Sequence, residues 1–346
     1  MAATIAAVAG ALPEHSASQE ELWELRFREF YGGDRAAGRL WTRCGVERRH
    51  GVLDPVAEGV HEWGTERRMR RFVEEALPLG RAALEAALER SGARADEIDL
   101  FTVVSCTGYA TPGLDILLAR DLGMRADVQR LHIGHMGCYA ALPGLSAVAN
   151  AASARDSTSL LLSVELTTLH VQSPARDLEQ IVAHALFGDA AAAAVVRPGG
   201  SGLELVDVIA RTDSSTEALM RWDVTDHGFR MGLSPQVPEA LRGHVAPAVD
   251  ELLRRNAVAR ESVRHWLVHP GGPAILDVVS EALALPEDAL GVSRATLREI
   301  GNCSSATVLH ILERTIETGE IGRGDWVVML AFGPGLTLYG CLLRTA

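Results

Sequence analysis

The stretch His132-Ile-Gly-His-Met-Gly-Cys138-Tyr-Ala-Ala places a glycine-flanked cysteine between a short apolar run and an alanine-rich helical segment. A thiol at such a strand-to-helix turn is a candidate nucleophile, because backbone N–H groups and the positive helix end stabilise a thiolate. An isolated cysteine in an intracellular protein is more often a small buried hydrophobic residue. Cys138 therefore counts as functional only if the rest of the chain supplies chemical partners for it.

The turn at Cys138 has a counterpart in the second half of the chain. A predicted buried strand ends near Ser105 and another ends near His269, while one predicted helix follows Cys138 and another follows Asn302. The separation between Cys138 and Asn302 equals the separation between Ser105 and His269. Two similar strand-helix units with polar residues at the same turns predict a duplicated α/β fold.

The turn Arg197-Pro-Gly-Gly-Ser-Gly202 is the candidate boundary between the two halves. We therefore expect one half over residues 1–200, which carries the cysteine, and one over 201–346, which carries His269 and Asn302. We also expect a helix that Pro78 kinks or splits, and irregular structure over 212–238. The remaining predicted strands cover 1–12, 98–106, 128–133, 158–166, 191–196, 203–210, 263–268, 326–332 and 336–343, and the predicted helices cover 65–90, 145–155, 239–256 and the segment from 301 to about 317.

Composition excludes several classes of function. The chain has 346 residues, is 47% hydrophobic and carries a net charge of -12, which argues against binding to nucleic acids or to anionic membranes. All 33 basic residues are arginine, so chemistry that needs a lysine, such as a Schiff base, is excluded. The five cysteines form no CxxC pair, and no apolar run approaches the roughly 20 residues of a membrane span. We expect a cytoplasmic protein without a signal peptide.

Three turn residues form a chemically coherent set. In a duplicated fold whose pseudo-twofold axis brings equivalent helix ends together, Cys138, His269 and Asn302 converge on one pocket. The cysteine would take an acyl group, the histidine would stabilise its thiolate, and the histidine and asparagine would donate hydrogen bonds to an oxyanion or enolate. His132, His135 and Cys138 also suggest a metal site, but they lack a fourth ligand. Acyl-thioester chemistry is the stronger hypothesis.

Four further blocks make the resemblance to a family specific. They are His269-Pro-Gly-Gly-Pro-Ala-Ile-Leu-Asp277, Gly301-Asn-Cys-Ser-Ser-Ala-Thr-Val308, Leu186-Phe-Gly-Asp189 and Phe332-Gly-Pro-Gly-Leu-Thr337. In this order and spacing they resemble the signature blocks of the chalcone synthase-like family, the type III polyketide synthases of bacterial type. The resemblance runs from about residue 98 to the C-terminus.

The resemblance implies a thiolase-type duplicated αβαβα layered fold with two pseudo-symmetric halves, and a homodimer. It also implies iterative decarboxylative condensation of malonyl-CoA onto an acyl-CoA starter, with CoA thioesters as substrates and with no metal or other cofactor. Cys138 would be the acylated nucleophile, with His269 and Asn302 at the decarboxylation site.

The resemblance also assigns a set of substrate-binding residues. Phe187 and Phe229 match two aromatic gatekeepers between the CoA tunnel and the cavity, and Thr111 matches a residue that reaches into the partner's pocket. Arg39 and Arg43 would meet the CoA phosphates. The matches to cavity-lining positions are Cys106, Glu165, Thr167, His170 and Ser304, and the turn residues assigned to the same site are Gly271, Gly333, Pro334 and Gly335.

Two departures from the family pattern affect these expectations. Ala141-Leu-Pro143 stands where the family often has glycines, so we expect regular helix only from about Pro143 and more of the thiolate stabilisation from His269. His170 and Cys106 replace small hydroxyl side chains of plant members. We therefore expect a fatty acyl or malonyl starter and an alkylpyrone, alkylresorcinol or polyhydroxy aromatic product.

Three alternatives remain open. One is a ketosynthase III-like acyltransferase of the same fold, which uses a carrier protein or does not iterate. Another is a cysteine thioester hydrolase, and the last is a catalytically silent partner subunit. The chain has no G-x-S-x-G motif and no G-x-G-x-x-G motif between a strand and a helix, so the commonest serine-hydrolase and dinucleotide-binding interpretations fail.

Overall fold

The computed structural model describes residues 2–54, 57–173 and 178–346. Its strands are β1 (Ala3–Ala11), β2 (His15–Ser18), β3 (Arg48–Gly51), β4 (Leu100–Ser105), β5 (Gln129–Gly134), β6 (Ser159–Leu166), β7 (Asp189–Pro198), β8 (Leu203–Thr212), β9 (Met220–Thr225), β10 (Gly228–Leu233), β11 (Val263–Val268), β12 (Trp326–Gly333) and β13 (Thr337–Thr345). Its α-helices are α1 (Gln19–Leu22), α2 (Arg28–Phe30), α3 (Arg35–Arg43), α4 (Thr65–Ser91), α5 (Leu114–Asp121), α6 (Ala141–Arg155), α7 (Leu178–Leu186), α8 (Val237–Arg255), α9 (Pro273–Leu283), α10 (Gly291–Ile300) and α11 (Ala306–Glu317). Short 3₁₀ turns cover Val60–Glu62, Ala95–Glu97, Thr167–His170, Ser214–Leu219 and Arg260–Ser262, and a π-helical turn covers Trp23–Phe27.

Nine of these strands form one sheet in the order β5-β4-β6-β7-β1-β8-β13-β12-β11. In the first half, β7 runs antiparallel to β1 and β6, and β4 runs parallel to β5 and β6. The second half repeats this arrangement, because β13 runs antiparallel to β8 and β12 while β11 runs parallel to β12. The halves meet where β1 pairs with β8, through Thr4 with Glu204 and Ile5 with Leu203. The predicted duplication is confirmed.

Two helices lie between the halves of the sheet. Residues of α6 and α11 form one apolar cluster with side chains from both halves, such as Leu161 of β6 and Met329 of β12. A second cluster packs α4 and α5 outside the first half, and a third packs α8 and α9 outside the second. Along β7, Ala190 faces the central cluster and Ala191 the outer one, since successive strand residues point to opposite faces. The layers are αβαβα, as the resemblance implied.

We expected Pro78 to kink or split its helix. Pro78 lies inside the single helix α4, so the helix is not split. A proline in a helix interior removes a backbone hydrogen bond and costs about 3 kcal/mol. The helix continues because buried side chains on both sides of Pro78, including Phe72 and Leu84, hold it against the sheet. Tertiary packing here outweighs the local backbone energy.

The segment 212–238, which we expected to be irregular, contains the hairpin β9–β10. Its strands pair from Thr225 with Gly228 to Met220 with Leu233, and most of its side chains are partly exposed. Helix α10 forms in a stretch for which no helix was predicted. The patterns are present in the sequence, because apolar residues alternate along β9 and β10 and one face of α10 is buried at helical spacing, so the expectations were wrong.

Helix α6 begins at Ala141, two residues before the predicted start at Pro143. Pro143 is tolerated because it lies in the first turn, where a backbone N–H has no partner within the helix. Cys138 therefore precedes the helix and is held by a turn, not by the helix itself. The predicted division at residue 200 falls in the turn between β7 and β8, and its meaning as a domain boundary stays a prediction.

The segment between β2 and β3 covers α7. Trp41 of α3 donates from its indole to the Gln19 carbonyl (2.9 Å), and the Gln19 amide donates to the Ala185 carbonyl (2.8 Å). The Phe27 and Trp41 rings pack with their centroids 4.3 Å apart. This segment forms one wall of the cavity described below. Within the described residues, every helix is too short or too polar to span a bilayer.

Candidate active site

The turn that carries Cys138 is pinned by a loop from the other half of the protein. Gly137 has a φ of 79°, and a Cβ there would lie 2.5 Å from Pro334. A Cβ on Gly333 would lie 2.6 Å from the Tyr139 ring and 3.3 Å from the Cys138 nitrogen. Only glycine fits at either position, so the Phe332-Gly-Pro-Gly block of the second half packs directly on the cysteine of the first.

The Asn302 turn is fixed by a second set of backbone contacts. The Asn302 N–H donates to the Leu186 carbonyl (2.9 Å), and the Gly188 N–H donates to the Asn302 carbonyl (3.0 Å), so the residue bridges Phe187. Its side-chain Oδ1 accepts from the Ser304 N–H (2.9 Å). This bond sets the orientation of the amide and leaves its NH₂ group to donate elsewhere.

The two turns meet at the Cys138 sulfur. The polar side chains of Ser304 and Asn302 lie close enough to the thiol to lower its pKa, and Cys138 is only 5% exposed. Burial raises the pKa of Cys138 to about 12, against the opposing effect of these two side chains. In the structure Cys138 is therefore a neutral thiol, with donors already placed beside its sulfur.

His269 lies at the end of β11 and is 1% exposed. Burial lowers the pKa of His269 to about 3, so its imidazole is neutral. Among the described residues, neither ring nitrogen has a hydrogen-bond partner. The ion pair with Cys138 that we expected is not formed here, and His269 keeps both nitrogens available for a reacting group.

Glu165 places a buried carboxyl group beside the Cys138 turn. Glu165 is fully buried and accepts from the Cys106 N–H (3.0 Å), the Thr107 hydroxyl (2.8 Å) and the Ser305 hydroxyl (2.5 Å). Burial and then the Glu165 charge raise the pKa of Cys106 well above its ordinary value, and its sulfur lies 3.5 Å from the Ser304 hydroxyl. Cys106 is thus a thiol that packs beside the nucleophile.

A cavity of about 360 Å³ leads toward this group of residues. Four of the predicted site residues line it, and they are Thr167, His170, Phe187 and Phe229. Cys138, His269 and Asn302 do not line it. Cys138 instead packs in the same apolar cluster as Phe187, which does line the cavity.

His170 and Phe229 form a fixed ring pair in the cavity wall. Their rings stack with centroids 4.6 Å apart and an interplanar angle of 8°. The Phe229 N–H donates to His170 Nδ1 (3.0 Å), which leaves Nε2–H to donate to the Thr107 carbonyl (2.7 Å). Burial lowers the pKa of His170 to about 4, consistent with this neutral tautomer.

The remaining predicted site residues are placed differently. Arg39 and Arg43 are exposed on α3 and do not line the cavity, and Thr111 is an exposed loop residue whose hydroxyl donates to Tyr109 (3.3 Å). Gly271 lies in the turn after His269 and donates its N–H to the His269 carbonyl (3.1 Å). Gly333, Pro334 and Gly335 form the loop that packs against the Cys138 turn.

Sequence reasoning missed Arg49, which lines the cavity and is buried. Its guanidinium donates to the carbonyls of His184 (2.6 Å) and Phe187 (2.7 Å), and it lies over the Trp41 ring. Burial lowers the pKa of Arg49 to about 10, which leaves it charged. The available signal was the run of arginines at Arg43, Arg48 and Arg49, but nothing in the pattern indicates which of them turns inward.

The alternative metal site is not assembled. In the described ranges no three His, Cys, Asp or Glu side chains come together as a potential ligand set, so His132, His135 and Cys138 do not form one. The arrangement that is present, a buried thiol with hydroxyl and amide donors and an unbonded imidazole, suits acyl transfer.

Comparisons with known proteins identify the family. The model of the N-terminal domain of chalcone and stilbene synthases matches residues 1–200, and that of the C-terminal domain matches residues 206–346. The chain belongs to the chalcone and stilbene synthase family. Members of this family are acyltransferases, the type III polyketide synthases, and the protein is one of them.

The relatives cover nearly the whole chain. A 1,3,6,8-tetrahydroxynaphthalene synthase from Streptomyces peucetius subsp. caesius is 37% identical, over 99% of this chain and 93% of its own. The alpha-pyrone synthesis polyketide synthase-like Pks18 from Mycobacterium tuberculosis is 30% identical, over 88% of this chain and 81% of its own. The crystal structure of 1,3,6,8-tetrahydroxynaphthalene synthase from Streptomyces coelicolor A3(2), a bacterial type III polyketide synthase, superposes with a TM-score of 0.94 at 31% identity, covering 99% of each chain.

Proposed function

We propose that the protein takes malonyl-CoA as both starter and extender, builds a poly-β-keto chain on Cys138 and releases a cyclised polyhydroxy aromatic. The observation that carries this proposal is the convergence of Asn302 and Ser304 on the buried Cys138 sulfur, with an unbonded His269 in the same half as Asn302. Only CoA thioesters are needed, with no metal or other cofactor.

Loading begins with a neutral pair of groups. As the Cys138 thiolate forms, its proton passes to His269, and the sulfur attacks the thioester carbonyl of the starter. The bond from this carbonyl to the CoA sulfur then breaks, CoA leaves as the thiol with the proton from His269, and the acyl group stays on Cys138. Because burial disfavours both charged forms, proton transfer and attack occur together.

Extension requires an enolate next to the acylated cysteine. Malonyl-CoA loses CO₂, and the electron pair of the broken bond moves into the thioester as an enolate. The NH₂ of Asn302 and the N–H of His269 donate to the enolate oxygen, a role that the Ser304 bond to Asn302 Oδ1 prepares. The enolate carbon attacks the acyl carbonyl, and the bond to the Cys138 sulfur breaks. Cys138 leaves as a thiolate that takes up a proton from solvent, and a chain two carbons longer remains on CoA. Transfer of this chain back to Cys138, by the same steps as loading, begins the next extension.

The choice of a malonyl starter rests on two supports. The relatives named 1,3,6,8-tetrahydroxynaphthalene synthase include the one at 37% identity. The cavity of about 360 Å³ is also bounded by the fixed His170–Phe229 pair, which favours a small starter. A fatty acyl starter that gives an alkylpyrone or alkylresorcinol is the outcome that would correct this choice.

A homodimer is part of the proposal. Strand β5 is an edge strand with exposed side chains, Leu131 is 40% exposed, and the nearby Tyr109 is 65% exposed. A second copy paired along this edge would cover them and bring Thr111 toward its cavity. Light scattering tests the dimer. Mixed dimers of Thr111→Arg and Cys138→Ala chains test whether Thr111 acts across the interface.

The central test uses malonyl-CoA alone and then acetyl-, hexanoyl- and dodecanoyl-CoA as added starters. Mass spectrometry follows the Cys138 peptide and the released products, with Cys138→Ala as the control. We expect acylated Cys138 and an aromatic product from malonyl-CoA alone, without a carrier protein. Acylation without condensation would instead indicate a carrier-dependent acyltransferase, and release of the starter acid would indicate a hydrolase. Fractionation of the source cells tests the expected cytoplasmic location.

A further inference from the structure

Arg68 of α4 is a fully buried arginine outside the site described so far. Within residues 2–54, 57–173 and 178–346 its guanidinium pairs with no carboxylate and donates instead to four backbone carbonyls. These belong to Val60 (2.7 Å), Trp63 (2.9 Å), Leu169 and Val171 (3.0 Å). A buried, unpaired charge is costly, so it calls for an explanation.

Two of the four carbonyls bound by Arg68 belong to residues that line the cavity. Val60 and Val171 line the cavity, and Leu169 and Val171 are the two neighbours of His170 in the chain. The guanidinium therefore holds the backbone on both sides of His170 without lining the cavity itself. Its planar fork of donors reaches all four carbonyls, which an ammonium group cannot do.

Thr65, in the same helical turn, holds the other member of the ring pair. Its hydroxyl accepts from the Gly228 N–H (2.8 Å) and donates to the Thr225 carbonyl, and its N–H donates to the Asp226 carbonyl (2.9 Å). These residues form the β9–β10 turn that leads into Phe229. At Gly228, whose φ is 95°, a Cβ would lie 2.6 Å from Arg68 and 3.0 Å from His170.

The Arg68 charge also favours the neutral form of His170. Burial is the largest cause of the lowered pKa of His170, and the Arg68 charge lowers it further. A neutral ring has one acceptor nitrogen, which is what the bond from the Phe229 N–H requires. A protonated ring would lose that bond, because both of its nitrogens would donate.

We propose that Thr65 and Arg68 are positioning residues that clamp the His170–Phe229 pair and thereby set the size of acyl group that the cavity accepts. The inference rests on the proposed function and adds a specificity determinant to it. Neither residue touches the acyl group, since neither lines the cavity. Both act through the ring pair, which does line it.

The test compares starter selectivity in purified, full-length variants. Thr65→Val removes one hydroxyl at nearly constant shape, and Arg68→Lys keeps the charge but loses the fork. We expect each to raise the ratio of kcat/KM for dodecanoyl-CoA to that for malonyl-CoA by about tenfold, a change typical of a reshaped apolar pocket. Arg70→Lys is the matched control, because Arg70 lies on the same helix but is exposed and paired with Glu66. It should leave the ratio unchanged.

A double-variant cycle distinguishes a clamp from general loss of stability. In a His170→Ala background the ring is absent, so Arg68→Lys should change the ratio less than about twofold further. If the effects of His170→Ala and Arg68→Lys on the ratio were fully additive, the inference would be overturned. Unchanged ratios in both Thr65→Val and Arg68→Lys would overturn it as well. If Arg68→Lys does not fold, Thr65→Val decides. If the unmodified protein did not consume malonyl-CoA, the proposed function itself would be refuted. If the variants condensed normally with unchanged starter selectivity, only the clamp would be refuted.

Discussion

The turns that carry Cys138 and Asn302 occupy equivalent places in the two halves but have different partners. Each follows a glycine in the left-handed region, Gly137 with a φ of 79° and Gly301 with a φ of 74°, and each precedes a central helix. The first turn is held by the Pro334 loop of the opposite half. The second is held by the backbone beside Phe187.

The comparison teaches how a duplicated fold divides one reaction. The backbone places two equivalent turns side by side, and the side chains then specialise. In the proposed mechanism, the first half supplies Cys138 as the nucleophile and the Glu165 network beside it, while the second half supplies His269 for the proton and Asn302 for the enolate. Each half alone contains an incomplete set of groups, so the site exists only at their junction.

The largest effect should come from removing the sulfur. We expect Cys138→Ala to lower kcat by at least about 10³-fold and to abolish acyl-enzyme formation, because the thiol proposed to carry the acyl chain is lost. Mass spectrometry of the labelled peptide and product assays measure both. Cys303→Ala is the matched control, since Cys303 is a fully buried thiol beside Asn302 whose sulfur donates to the Ile300 carbonyl (3.4 Å). Undiminished product from Cys138→Ala would contradict the proposed mechanism.

A smaller and selective loss should follow from Asn302→Ala. We expect decarboxylation of malonyl-CoA to fall about 10²-fold, because one donor to the enolate oxygen is lost. Loading of the starter onto Cys138 should fall far less. Release of ¹⁴CO₂ and single-turnover acylation give the two rates separately. Equal losses in both would contradict the separation of roles between the turns.

Acid should destabilise the protein through His310 of the central helix α11. Burial lowers the pKa of His310 in α11 to about 4, below its unfolded value near 6.5, so the unfolded chain binds more protons between these values. We therefore expect the free energy of unfolding to fall by about 3 kcal/mol from this residue as the pH drops from 6.5 to 4. Urea titrations should show a flatter profile for His310→Gln. The exposed His15→Gln should match the unmodified protein, and an equally steep profile in His310→Gln would refute the assignment.

The smallest effects should come from replacing the glycines that precede the two turns. We expect Gly137→Ala and Gly301→Ala each to lower the free energy of unfolding by about 1–3 kcal/mol, because both combine a left-handed φ with a close contact. Gly92→Ala is the control for backbone strain alone, since its φ is 68° and nothing lies near its Cβ position. Urea denaturation measures all three. If Gly301→Ala cost no more than Gly92→Ala, the two turns would not be equivalent in their packing.

The sequence was sufficient for features that depend on local chemistry. The equal spacing of Ser105 and His269 and of Cys138 and Asn302 predicted the duplication, and the strand order confirms it. The glycine-rich blocks predicted the family, because their backbone requirements leave few alternative residues. The roles of the individual site residues stay predictions until the variants above are measured.

Features that depend on long-range packing were not readable from the sequence. Pro78 remains in a continuous helix because of contacts made far along the chain. Arginines show the same limit most clearly. Arg39 and Arg49 lie in one basic region, yet the first is exposed and the second is buried against Phe187. Charge and local pattern do not encode which of them turns inward.

The seam between β1 and β8 bears on how such a fold could originate. Within the described residues, β1 and β8 pair through Thr4 with Glu204 and Ile5 with Leu203, while the central helices and the turns at Cys138 and Asn302 supply further contacts between the halves. Two separate copies of one ancestral half could therefore associate through their helices before any covalent link existed. A short connector such as the turn after β7 would then fuse them, with few new backbone bonds to establish. The asymmetric active site would have arisen after fusion, when the two turns became free to diverge.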